Sequence, residues 1–315
     1  MPRNTEFTGV IAALLLPRDS AGQAAWSDFE RNASFVLQAG ANGVCVNGAT
    51  GEFAGATREE RREAVERARR IAGQSGTVVS GIGGTRWTEI VAMAHDSEDA
   101  GADALLVPVP YFFHYAPDDL AEFYQRLAEE LHAPALIYNL PAFAGGVESE
   151  LALHLIAAVN GIAGVKDSSG DLGLLAQLTA ANHGSAVRLV GHDGVLAEAL
   201  TRGVCDGTIS GVAGVVPEIT LALWKSAKSQ NWTLFADLRV HLQRLLERLD
   251  AFPTPWGLKL VADLRGLGPA SIGLPLSAER EQQAEEFRRA FPVWWQAAEA
   301  GMAQALGRAV PYRSD

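Results

Sequence analysis

The chain has 315 residues, of which 48% are hydrophobic and 20% charged, and 26 Lys and Arg against 37 Asp and Glu leave a net charge of −11. These proportions describe a globular chain with material for a core and exclude a disordered or fibrous one. The acidic balance argues against nucleic acid or an anionic membrane as the main partner, but a local site can still hold an anionic small molecule.

Short apolar runs alternate with longer amphipathic stretches from residue 10 to about residue 230. The first run, VIAALLL (10–16), could be mistaken for a leader segment. It is short, follows Arg3 and Glu6, and ends in Pro-Arg-Asp rather than at small residues, so it reads as a buried strand. The others are GVCVN (43–47), TVVSG (77–81), ADALLVP (102–108), PALIYN (134–139), GIAGVK (161–166), AVRLVG (186–191) and DGTIS (206–210). Each is strand-length and mostly apolar, as expected of parallel strands covered on both faces.

Helical patterns lie between the runs. Residues 57–73 start with Thr57 and carry Glu60 three positions later, a capping-box spacing, and close on Gly73. Residues 116–132 place Pro117, Asp118 and Asp119 at the start, where fixed φ and negative charge suit a helix N-terminus. Eight strand–helix units over this length predict a (β/α)8 TIM barrel, with residues 1–230 forming the barrel and its catalytic mouth. An open doubly wound sheet satisfies the same alternation. From residue 233 the pattern is helical only, in stretches 233–250, 255–268 and 277–307. Residues 231–315 are therefore expected as a C-terminal helical extension packed on the barrel or on another subunit. No run approaches the ~18 apolar residues needed to span a bilayer.

Cys45 and Cys205 are too few for a disulfide framework or a four-cysteine zinc site and read as buried thiols of a reducing compartment, here the cytoplasm. The histidines at 95, 114, 132, 154, 183, 192 and 241 show no metal-ligand spacing, and Asp96, Glu98 and Asp99 read as a solvated helix face. No metal or organic cofactor is expected.

In a barrel, chemistry belongs at the C-terminal strand ends. Lys166 closes the apolar run GIAGV, where desolvation disfavours the ammonium and supplies a free amine able to attack a carbonyl. The bland alternative is a lysine reaching out to a surface ion pair with Asp167. Tyr138 ends the previous strand and can exchange a proton with a substrate oxygen, or simply be a core tyrosine with its hydroxyl at the rim. The NGATGE loop (47–52) can cradle a carboxylate or phosphate on successive N–H groups and the Thr50 hydroxyl, or be a tight turn. GIGGT (81–85) reads as a turn. His192 and Asp193, in GHDG, fall at the mouth within reach of substrate.

Taken together, Gly48-Ala49-Thr50-Gly51-Glu52, Pro110-Tyr111, Tyr138-Asn139-Leu140-Pro141 and Gly164-Val165-Lys166-Asp167 resemble the dihydrodipicolinate synthase and N-acetylneuraminate lyase superfamily. Order and spacing agree over nearly the whole chain. The resemblance implies a class I aldolase that binds pyruvate or another 2-oxo acid. Lys166 would form the Schiff base, and the imine would act as electron sink for C–C cleavage, condensation or loss of water. Tyr138 would be the proton shuttle, Ala49 and Thr50 would hold the carboxylate, and Gly191 and Ile209 would line the imine pocket. It also implies a homotetramer built as a dimer of dimers.

Departures from the pattern bear on the substrate. The synthase has a hydroxyl residue at Ala49 and, at Phe112, a tyrosine that reaches a neighbouring subunit's site. Neither replacement here can carry a proton. The synthase also has an arginine at Phe143 for its aldehyde's carboxylate, and the ring cannot form that pair. Weak or absent dihydrodipicolinate synthase activity is expected. The sialic acid lyase has an acidic residue at Gly194 and also a tyrosine at Phe112, which speaks against a sialic acid substrate. Phe112, Phe113 and Phe143 near the mouth would suit an aryl-substituted pyruvate. A 2-keto-3-deoxy sugar acid dehydratase is the close alternative. A non-catalytic 2-oxo acid binding protein is the third, although such a protein would be free to lose Lys166 or Tyr138.

Overall fold

The computed structural model describes residues 7–181 and 186–313, so His183, Arg3 and Glu6 lie outside the described residues. Eight parallel strands close into a barrel in sequence order: β1 (Gly9–Ala13), β2 (Gly43–Val46), β3 (Thr77–Gly81), β4 (Ala104–Pro108), β5 (Ala135–Asn139), β6 (Ile162–Asp167), β7 (Val187–Val190) and β8 (Gly207–Ser210). The ring is sealed by β1 against β8, with Ile11 opposite Ile209. Closure excludes the open sheet. The first strand is shorter than the apolar run suggests: Leu14, Leu15 and Leu16 are buried but lie past its end, on the approach to Pro17.

The strands are apolar on both faces because both faces are covered. Ile11, Ala13, Cys45, Val79, Leu106, Leu136, Leu189 and Ile209 fill the barrel. Their neighbours, such as Val10, Ala12, Val44 and Val78, pack outward against the helices. The helices are α1 (Trp26–Gln38), α2 (Arg58–Ala72), α3 (Trp87–Asp99), α4 (Pro117–Glu130), α5 (Pro141–Ala144), α6 (Ser149–Ala158), α7 (Gly173–Ala180), α8 (Leu196–Arg202) and α9 (Pro217–Lys228). The expected cap of α2 forms in both directions: Glu60 N–H donates to Thr57 Oγ1 at 3.2 Å, and Thr57 N–H donates to Glu60 Oε2 at 2.9 Å.

Three helices follow the barrel: α10 (Trp232–Leu249), α11 (Trp256–Leu264) and α12 (Ala278–Leu306). Leu238, Leu242 and Leu245 of α10 and Phe291, Trp295 and Met302 of α12 share one core with Ile219 and Leu223 of α9. Arg265, just past α11, ties this extension to the barrel. Its guanidinium donates to both carboxylate oxygens of Glu218 and to the carbonyls of Val215, Pro311 and Tyr312. It also sits between the rings of Phe35 and Trp295. Among the described residues, no helix is long and apolar enough to cross a membrane.

Candidate active site

The strand ends open onto a cavity of about 500 Å³, and Lys166 lies inside it. The strand alternation that buries Leu136 and Leu189 in the barrel also points Lys166 inward, and only 4% of the residue is exposed. Its Nζ donates to Tyr138 Oη at 3.2 Å and lies 4.2 Å from the centre of that ring. Asp167 points the other way, accepting from Asn139 Nδ2 at 3.0 Å and from the Ser169 N–H at 2.9 Å. The ion pair between Lys166 and Asp167 therefore does not form. An amine in an apolar barrel, touching a phenol and no carboxylate, is placed for attack on a ketone.

Gly191, after β7, is what leaves room for this lysine. A Cβ there would fall 2.7 Å from Lys166 Cε and 2.0 Å from Ser168 Oγ. Beneath the lysine, burial pushes the Cys45 thiol up to about 11 against the opposing charge of Lys166. That leaves Cys45 a packed, unreactive thiol.

The loop after β2 turns tightly. The Gly51 N–H donates to Gly48 O at 3.1 Å and the Glu52 N–H to Ala49 O at 3.0 Å. The N–H groups of Ala49 and Thr50 have no acceptor among the described residues, and both residues line the cavity. Two free donors beside a hydroxyl can hold a carboxylate. The GIGGT stretch is structural, as its pattern predicts: the carbonyls of Gly81 and Gly83 accept from the buried Arg61 guanidinium, each at 2.9 Å.

Asp193, after β7, also lines the cavity. The Ser210 hydroxyl donates to its Oδ1 and the Val212 N–H to its Oδ2 at 3.2 Å. Burial nevertheless holds this carboxyl above the usual carboxylate range, outweighing those donors and the nearby His192 and Lys166. A carboxyl that holds its proton to higher pH than an exposed one is better placed to give it to a substrate oxygen.

The cavity brings together Ala49, Thr50, Tyr138, Phe143, Lys166, Gly191, Asp193 and Ile209. Phe112 does not join them. Its backbone takes a left-handed φ of 82°, its ring is 85% exposed, and it meets Phe113 edge-on at 5.0 Å. In its own chain it is a surface residue and does not line this cavity. Among the described residues, no three His, Cys, Asp or Glu side chains converge as a metal site.

Sequence reasoning missed the far wall. Gln243, Leu246 and Leu249 of α10, Thr254 and Pro255 of the connection, and Leu258 of α11 all line the cavity. The extension is thus the roof of the site. Nothing in the spacing of these residues marks them, because they reach the mouth only through packing on the barrel. Ser168 is a smaller omission: its hydroxyl is buried at the lysine with no hydrogen-bond partner.

Comparison with known proteins bears on the family and the fold. The model of the dihydrodipicolinate synthetase family matches residues 6–292. The 4-hydroxy-tetrahydrodipicolinate synthase of Methanopyrus kandleri is 29% identical over 286 residues, covering 90% of this chain and 95% of that protein. The corresponding synthase of Methylacidiphilum fumariolicum superposes with a TM-score of 0.88 at 22% identity, covering 95% of this chain and 99% of that one. The Acinetobacter baumannii dihydrodipicolinate synthase, solved with pyruvate, superposes with a TM-score of 0.84 at 25% identity, covering 96% and 99%.

Proposed function

The chain belongs to the dihydrodipicolinate synthetase family and is a class I lyase of it, and from that premise we propose that it acts on pyruvate or another 2-oxo acid through a Schiff base on Lys166. The observation that carries this reading is the buried amine of Lys166 against Tyr138 Oη, 3.2 Å away, at the floor of the cavity. The amine adds to the ketone, water leaves, and the imine withdraws electrons from the neighbouring carbon. Tyr138 moves the proton. The Ala49 and Thr50 N–H groups and the Thr50 hydroxyl hold the carboxylate. Residues 1–230 supply this machinery, and residues 231–315 supply the roof over the second reactant.

In this reading the chain is not a true dihydrodipicolinate synthase. Ala49 carries no hydroxyl, Phe112 carries none and faces out, and no arginine is among the described residues lining the cavity. Phe143, Leu246, Leu249, Pro253 and Leu258 give the distal wall a large apolar share beside Gln243 and Asp250, which favours an uncharged, aryl-bearing partner. A 2-keto-3-deoxy sugar acid dehydratase is the second reading. Asp193 favours it, because a cavity-lining carboxyl whose pKa is raised by burial is suited to protonate a departing hydroxyl.

The reading includes a cytoplasmic homotetramer. Two buried free thiols suit a reducing compartment, and the exposed pair Phe112–Phe113 suits contact with a second subunit. Borohydride reduction in the presence of pyruvate, followed by peptide mass spectrometry, tests the chemistry. A reduced pyruvyl adduct on Lys166 is expected. Saturable pyruvate binding without an adduct would make the chain a binding protein instead.

A further inference from the structure

We propose that Glu52 and Lys259 form a positioning pair that sets the carboxylate cradle and the helical roof in register, an inference that rests on the imine reading above. Lys259 lies on α11, and its side chain is 5% exposed. Its Nζ stands 2.5 Å from Glu52 Oε2 and donates to the Ser271 carbonyl at 2.7 Å. Glu52 is the last residue of the turn that presents Ala49 and Thr50. It is held there at both ends, by its N–H on Ala49 O and by its carboxylate on Lys259. Its backbone takes a left-handed φ of 51°, which a residue with a side chain keeps only where its surroundings hold it.

The pair joins two walls of one cavity. Thr50 lies two residues before Glu52, and Leu258 lies one residue before Lys259. Both approach the same point of the barrel: a Cβ on Gly211 would fall 3.1 Å from Leu258 Cδ1 and 3.3 Å from Thr50 Oγ1. The barrel turn and the extension therefore meet at the rim of the site, and the Glu52–Lys259 contact is the ionic link between them. Without Glu52 the buried Lys259 ammonium keeps only the Ser271 carbonyl and loses its counter-charge, so α11 and the turn must shift to rehydrate it. A shift of the turn moves the Ala49 and Thr50 donors away from a bound carboxylate. Neither Glu52 nor Lys259 has to touch the substrate for this.

The test measures pyruvate concentration dependence of borohydride trapping, alongside thermal melts, for wild type, Glu52→Gln, Lys259→Met and the exchanged pair Glu52→Lys/Lys259→Glu. Each single variant is expected to raise half-saturating pyruvate about tenfold to a hundredfold, the loss that a misplacement of ~1 Å brings, while the limiting rate changes far less. The exchanged pair should recover most of the affinity. Single variants that melt lower yet saturate with pyruvate like wild type would overturn the inference, as would an exchanged pair that regains its melting temperature but not its affinity. Should Glu52→Gln not fold, Glu52→Asp is read on the same two axes. Wild type that forms no adduct would overturn the imine reading and this inference with it. A normal wild-type adduct with unchanged single variants overturns only the role of the pair.

Discussion

Arg265 meets Glu218 in a two-point ion pair, Nη1 to Oε2 at 2.9 Å and Nη2 to Oε1 at 2.8 Å, with neither side chain more than 2% exposed. The remaining guanidinium protons reach the Val215, Pro311 and Tyr312 carbonyls, so one residue of the extension binds α9 and the chain's C-terminal segment together. Removing either partner strands the other charge in a dry interior. Arg265→Met or Glu218→Gln should each cost about 3–5 kcal/mol, the usual penalty for breaking a buried pair. Denaturant unfolding checks this. A change near zero would mean that water reaches the site.

Lys166 and Tyr138 should separate in their effects. Lys166→Ala removes the amine and should abolish the pyruvyl adduct on borohydride trapping. Tyr138→Phe keeps the amine and the ring but loses the hydroxyl that accepts from Nζ. It should still form an adduct, while overall turnover falls by about 10²–10⁴, the usual worth of a positioned proton carrier. Equal loss of trapping in both variants would show that Tyr138 is needed to build the imine rather than to move the later proton.

Asp193 gives the site a pH signature. Burial raises its carboxyl above the ordinary range, so the proton is still held where exposed carboxyls have lost theirs. As a proton donor it should fail as pH rises through that raised value, giving a falling alkaline limb that Asp193→Asn removes. The stability linkage has the same direction. A carboxyl whose folded pKa exceeds its unfolded one favours the fold fully below the unfolded value, and that contribution is lost as pH rises through the folded value. The gap in melting temperature between wild type and Asp193→Asn should therefore move against wild type as pH rises over that interval. An identical gap at every pH would mean that Asp193 is ionised throughout.

The sequence showed those parts of the molecule that depend on neighbours along the chain. The strands stood out because both faces are buried. Lys166 stood out because an ammonium ends an apolar run, and the α2 cap because Thr57 and Glu60 are three residues apart. What lay hidden depends on contacts between distant segments. Leu246 and Leu258 reach the cavity only after α10 and α11 fold over the barrel. Asp193 meets Ser210 across 17 residues through two adjacent strand ends. Phe112 stands outside its own chain's cavity with a left-handed φ of 82° and an exposed ring, and no residue type at that position announces such a backbone.

Phe112 and Phe113 also predict how the chain assembles. Two rings, 85% and 62% exposed and packed edge-on against each other, form an apolar knob with Tyr115 nearby, itself 38% exposed. If a second copy covers this knob, Phe112→Asp/Phe113→Asp should shift the protein to a smaller species by light scattering without lowering the yield of the pyruvyl adduct. An unchanged mass would place the subunit contact elsewhere, and a monomeric wild type would dismiss the homotetramer.

Phe143 offers the sharpest test of the second reactant. It lies on α5 at the cavity's edge, 56% exposed, where an arginine would stand in a synthase that resembles this chain. With Asp250 lining the cavity and no arginine among the described lining residues, the present site disfavours a carboxylated aldehyde. Wild type given pyruvate and aspartate semialdehyde should show little turnover, and an uncharged aryl aldehyde should serve better. Phe143→Arg adds a fork able to bind a carboxylate at two points, so preference should shift toward the semialdehyde by about 1.5–3 kcal/mol, the value of a hydrogen bond to a charged group. Full synthase rates are not expected from this change alone, because Ala49 still lacks a hydroxyl and Phe112 still faces outward. Paired kcat/KM values for the two aldehydes in both proteins decide the matter. Wild-type turnover of the semialdehyde at a rate typical of a synthase would show that Tyr138 passes its proton by a route that needs neither residue, and that this cavity accepts an anion without an arginine.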